Sequence, residues 1–123
     1  MQNFKKVTIT MENRDELHNV LNLTGCEVSV NKLPAMVAVP FVHAHTNNEE
    51  LYIVLEGKGE LYIDGEVVEI AKGDAFRIDP EGHRAIRALE TGLQFICIQT
   101  RKNSLQGFTA EDAKMCEDKA PWH

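Results

Sequence analysis

Between Cys26 and Gln99 the chain is a succession of short apolar runs, each broken within a few residues by Gly, Pro or Asp. Runs of that length, rich in Val, Ile, Leu and Tyr, are too brief for stable helices and match half-buried strands. The spacing predicts strands near 26–32, 35–45, 50–56, 59–64, 66–71, 74–79, 83–89 and 93–100. The sharpest local signal is Leu61-Tyr62-Ile63-Asp64-Gly65-Glu66-Val67-Val68, where Asp-Gly supplies the positive φ angles of a two-residue hairpin turn. Gly57-Lys58-Gly59, Lys72-Gly73-Asp74 and Asp79-Pro80-Glu81-Gly82 mark further turns. Many short strands with little helix between them predict an all-β fold, a small antiparallel sandwich or barrel.

The ends carry different patterns. Val7, Ile9 and Met11 alternate with Thr8 and Thr10, as in a half-buried strand. Asn13 with Glu16 resembles a helix-capping pair; Leu17, Val20 and Leu21 form an apolar stripe, and Gly25 stands where helices commonly end. A strand and a helix are therefore expected over 4–24. Thr109 with Asp112 predicts a short C-terminal helix near 110–118, ahead of Pro121. With no internal repeat or linker, residues 1–123 read as one domain with a core over about 26–100, and this length suffices for one hydrophobic core.

Thirteen Lys and Arg against nineteen Asp and Glu give a net charge of −6, with no basic cluster to follow a phosphate backbone. Nucleic acid is excluded as the expected partner. Met1 to Met11 contains no apolar stretch suited to a signal peptide or a membrane span, so a cytoplasmic protein is expected. Cys26, Cys97 and Cys116 are odd in number and lack a Cys-x-x-Cys pair, which predicts reduced thiols, two in strands and one on a helix.

The chemistry concentrates in His43-Ala44-His45-Thr46-Asn47-Asn48-Glu49-Glu50. Residues two apart on a strand share a face, so His43 and His45 project together, and a turn into the next strand can return Glu50 beside them. Two imidazoles and a carboxylate suit a divalent Mn, Fe, Co, Ni or Zn ion with positions left open. The alternative is a set of satisfied strand residues holding no metal.

This run resembles the first motif of the cupin superfamily, small jelly-roll β-barrels, whose pattern is G-(x)5-H-x-H-(x)3–4-E-(x)6-G. His43, His45, Glu50 and Gly57 fall on it, and Val37 stands where the opening Gly would be. The six-residue count to Gly57 selects Glu50 over Glu49 as the acid. The resemblance covers about residues 30–100. The family's second motif, G-(x)5-P-x-G-(x)2-H-(x)3-N, would begin at Gly73, but without a gap it places Asp79, Glu81, Arg84 and Ala88 on Pro, Gly, His and Asn. Sliding by one recovers Pro80 and Gly82 and puts Ala85 on the histidine position.

His83 lies one residue early. Arg84, Ile86 and Ala88 share one face of this strand and His83, Ala85 and Arg87 the other, because a shift of one reverses every side chain. Ile86 belongs inside, so Arg84 is expected inside and His83 outside, joining the ligands only if a bulge re-aims it. An inward Arg84 is a planar fork suited to a carboxylate or phosphate, or else pairs with Glu81 or another acid. Tyr52 shares the face of Glu50 and is a candidate substrate-binding hydroxyl; Tyr52 and Glu49 are candidate proton carriers. Tyr62 and Phe95 read as core aromatics, and His18 and His123 as solvated groups.

The resemblance implies a homodimer, with the strand at Val7–Met11 as a candidate edge, and a small-molecule ligand. Two functions follow from it: a metal-dependent enzyme acting on a small metabolite, anionic if Arg84 takes part, or a non-catalytic ligand-binding sensor. A structural protein without metal is the third reading.

Overall fold

The structure, a computed structural model, describes residues 3–123. Its elements are β1 (Arg14–Glu16), α1 (His18–Leu21), β2 (Glu27–Leu33), β3 (Asn48–Ile63), β4 (Glu66–Ala71), β5 (Ala75–Ile78), β6 (Arg84–Arg101) and a 3-10 turn at Thr109–Glu111. The strands form one antiparallel sheet in the order β1-β2-β6-β3-β4, with β5 also on β3.

β3 and β6 pair along their whole length, from Asn48 opposite Arg101 to Ile63 opposite Arg84, with register shifts at Val54/Glu56 and Gly57/Gly59. Those irregularities bend the ladder and let its two halves take different partners. The first half of β3 lies between β5 and the second half of β6, which β2 extends. The second half lies between β4 and the first half of β6. The sheet thus folds over on itself around Tyr52, Val54, Leu61, Ile86, Leu93 and Phe95, all buried. This is the small antiparallel jelly-roll architecture expected, though the hydrogen-bonded path is not closed.

The strands predicted at 50–56 and 59–64 are one, as are those at 83–89 and 93–100. Gly57 and Gly92, at φ +86° and +74°, serve bends within continuous strands rather than reversals. Residues 35–45 are not a regular strand. They meet β6 through two isolated bridges, Ala38 with Arg87 and His43 with Arg84, and through the Met36 amide, which donates to the Leu89 carbonyl at 3.1 Å. Pro34 and Pro40 have no amide hydrogen to donate, and Met36 sits at φ +63°.

The N-terminal helix shrinks to one turn because Arg14, Asp15 and Glu16 pair with Asn31, Val30 and Ser29 instead. Non-local pairing overrides the local capping pattern. The Glu27 carboxylate, not Asn13, accepts the His18 amide at 3.0 Å, and Asn22 at φ +54° ends the turn before Gly25. Val7–Met11 makes no ladder with the described residues; the Asp15 carboxylate holds its end by accepting the Thr10 and Met11 amides. The C-terminal helix is likewise absent beyond Thr109–Glu111: Met115 is exposed, and that stretch has no apolar stripe to dock. No described helix is long and apolar enough to cross a membrane.

All three cysteines are free: Cys97 is buried in β6, Cys26 half-buried just before β2, and Cys116 exposed and outside any helix. Phe95 is in the core, whereas Tyr62 is 37% exposed and does not belong to it.

Candidate metal centre

His43 and His45 reach the interior from the irregular 35–45 segment, whose histidine-bearing end is stitched to its neighbours by three backbone bonds. His43 N–H donates to the Arg84 carbonyl at 3.0 Å, Arg84 N–H returns one to His43 at 2.9 Å, and His45 N–H donates to the Pro80 carbonyl at 2.9 Å. Both rings end up on one side, with centroids 5.2 Å apart and nearly perpendicular. Glu50 projects from β3, 4% exposed. Ligand atoms of His43, His45 and Glu50 all lie within 4.8 Å of one another.

Glu50 is the hub of the polar interior. Its Oε1 accepts the Tyr52 hydroxyl at 3.1 Å and lies 3.6 Å from Arg84 Nε. Its Oε2 accepts the Cys97 thiol at 3.2 Å and lies 3.3 Å from His45 Nε2, out of line for a hydrogen bond. Two fixed donors therefore orient the carboxylate from behind, as supporting groups do around a metal ligand. Burial lowers the His43 pKa below its ordinary value, outweighing the opposite pull of Glu50, so the ring is neutral near pH 7 with a lone pair to offer.

Arg84 is 1% exposed and shares the inward face with Ile86 and Ala88. Its Nη2 donates to the Asp79 carbonyl at 2.9 Å, while Nε and Nη1 have no hydrogen-bond partner. Its acidic neighbour is Glu50, far along the chain, rather than Glu81. His83 is exposed, its amide donating to Asp64 Oδ1 at 2.8 Å, and no bulge turns it toward the group formed by His43, His45 and Glu50. Glu49 does not line the cavity. Burial first, then the neighbouring Cys97 and Glu50, push the Tyr52 phenol up, which makes it a fixed donor rather than a proton carrier near neutral pH.

His43, His45, Glu50, Tyr52, Arg84 and Cys97 line a cavity of about 600 Å³ bounded by β2, β6 and the 33–41 segment. Cys97 is the residue the sequence reading missed. It is 47 positions from Glu50, and only the pairing of β3 with β6 brings them together. Burial, then the Glu50 charge, push its thiol up to about 12. Against an ordinary thiol this leaves less thiolate on the order of a thousandfold. Iodoacetamide treatment of the native protein followed by peptide mass spectrometry is expected to modify Cys116 and spare Cys97 until denaturant is added.

The cupin domain profile matches residues 35–99, more than half of the chain. An uncharacterized protein of Methanocaldococcus jannaschii is 31% identical over 77 residues, 62% of this chain, and the chain spans 58% of that relative's length. The crystal structure of a cupin protein from Bacteroides fragilis is 47% identical, with a TM-score of 0.90 over 94% of this chain and 99% of that one. A Bacillus subtilis oxalate decarboxylase, described for its Mn(II) centres, shares the fold at 18% identity, with a TM-score of 0.60 over 73% of this chain and 25% of that one. The profile match, together with a fold shared almost end to end with a cupin protein, shows that this chain belongs to the cupin family.

Proposed function

We propose that the cavity is a divalent-metal centre of a small-molecule enzyme acting on a small anionic metabolite, with His43, His45 and Glu50 holding the ion and Arg84 the anion. The supporting observation is that His43 Nδ1 and His45 Nε2 are buried without hydrogen-bond partners beside the Glu50 carboxylate, a donor set of two imidazole nitrogens and an oxygen. That set suits Mn, Fe, Co, Ni or Zn, and a relative in fold carries Mn(II). When bound, such an ion supplies Lewis acidity to a substrate oxygen or activates water or dioxygen. The chain's own contribution is to keep His43 neutral, to hold Glu50 in place through Tyr52 and Cys97, and to orient an acidic group on Arg84.

A second reading, a non-catalytic ligand-binding module, is favoured by Arg84 standing in the region of the second motif where the family has a fourth ligand histidine. Protein purified without a histidine tag is expected to contain roughly one ion per chain by elemental analysis. His43→Ala and His45→Ala are expected to lose most of it, on the order of tenfold or more. Undetectable metal after reconstitution would remove the metal reading. Incubation of the loaded protein with pooled metabolites separates the two functions: product formation identifies an enzyme, whereas thermal stabilisation by an unconsumed compound identifies a binder.

A further inference from the structure

We infer that the cavity selects small monocarboxylates with an apolar body, and that Arg84 recognises them whether or not a metal is bound. The inference rests on the anion-binding reading of Arg84 above and not on the ion.

The buried hydrogen-bonding capacity left unspent lies at one end of the cavity. Among the described residues, the buried side-chain nitrogens and oxygens without partners are His43 Nδ1, His45 Nε2, Arg84 Nε and Arg84 Nη1. Three polar groups of the wall at β2 are paired with one another: Arg14 Nη1 donates to Asn31 Oδ1 at 2.7 Å, and Asn31 Nδ2 to Ser29 Oγ at 3.0 Å. Tyr52 and Cys97 spend their hydrogens on Glu50. The remaining wall is mostly apolar, with Leu33, Val37, Val39, Phe41, Ile86 and Phe95, and its other polar side chains are Asn13, Lys32 and Gln99. Along those apolar side chains a sugar or polyol would surrender the hydration of its hydroxyls without replacement, whereas an alkyl or aryl body loses nothing and gains burial.

Charge selects the head group. The lining contains Arg14, Lys32 and Arg84 against the single acid Glu50, inside a protein whose net charge is −6. A buried arginine with Nη1 unpaired is completed by a carboxylate oxygen. One such head is expected rather than two, because Arg14 is already engaged by Asn31 and by Glu16 at 3.4 Å and Lys32 is exposed to water.

The test uses full-length protein stripped of metal by chelator and titrated calorimetrically with benzoate, 3-methylbutanoate, their amides, and glycolate. Both apolar acids are expected to bind at least about tenfold more tightly than the amides or glycolate. Arg84 neighbours the buried Glu50 charge, so its replacement endangers the fold. Phe41→Ser, at the exposed cavity rim, therefore carries the second arm. It is expected to weaken benzoate by roughly fivefold and leave glycolate unchanged. Amides that bind like acids, glycolate that binds like benzoate, or benzoate binding indifferent to Phe41→Ser each overturn the inference. Benzoate binding that appears only after Mn or Zn is restored also overturns it while leaving the metal centre intact. Benzoate binding to a protein that never takes up metal upholds it and removes the metal centre instead.

Discussion

Glu50→Ala is expected to destabilise the metal-free protein by about 3–5 kcal/mol, because it strands a buried charge. Arg84 is 1% exposed, its nearby acid is Glu50 at 3.6 Å, and its guanidinium otherwise donates only to a neutral carbonyl, that of Asp79. The same change removes the acceptor of the Tyr52 hydroxyl and the Cys97 thiol. Glu50→Gln is expected to recover little, since a neutral amide cannot balance the guanidinium and brings donors of its own to a site already crowded with them. The double replacement Glu50→Leu with Arg84→Met should return most of the loss, because an apolar pair of similar volume carries no desolvation penalty. Urea denaturation of the single and double variants measures the coupling directly. A Glu50→Ala protein within about 1 kcal/mol of the parent would mean that water, not Glu50, balances Arg84.

What the sequence made legible follows a physical division. Spacing of two along an extended chain, followed by a short turn, was enough to bring His43, His45 and Glu50 into one group, even though 35–45 turned out not to be a regular strand. Parity placed Arg84 inward and His83 outward, since strand alternation leaves no intermediate choice. The Asp64-Gly65 turn formed as read, at φ +46° and +91°, because the requirement for positive φ is local. Errors gathered where distant partners decide. Asn13 to Glu16 carry a helix-start pattern, yet β2 presented an open edge and the backbone paired with it. Glycine punctuation cannot by itself distinguish a reversal at Gly65 from a bend at Gly57, since both positions need the same conformational freedom. Cys97 beside Glu50 was illegible for the same reason: the register of two long strands, not any motif, sets that contact.

Gly57→Ala is expected to lose about 3 kcal/mol or more, the sum of two separate penalties. The first is conformational: φ is +86°, which an L-residue with a Cβ adopts only at a cost of about 1–2 kcal/mol. The second is steric, and larger. A Cβ on Gly57 would stand 2.0 Å from the Gly92 carbonyl oxygen and 2.8 Å from its carbon, backbone atoms that cannot rotate away as a side chain would. Relief requires β3 and β6 to part where the sheet folds over, beside Leu93, which is 2% exposed. Two other glycines separate the penalties. Gly65, at φ +91° with nothing within 4 Å of its Cβ position, should show the conformational cost alone, about 1 kcal/mol for Gly65→Ala. Gly25 has neither positive φ nor a neighbour within 4 Å, so Gly25→Ala should be neutral or stabilising by a few tenths of a kcal/mol. Urea midpoints of the three variants are therefore expected to fall in the order Gly25→Ala, Gly65→Ala, Gly57→Ala. Equal losses at Gly57 and Gly65 would show that the two strands do not approach so closely, and with that approach would go the fold-over that encloses the cavity.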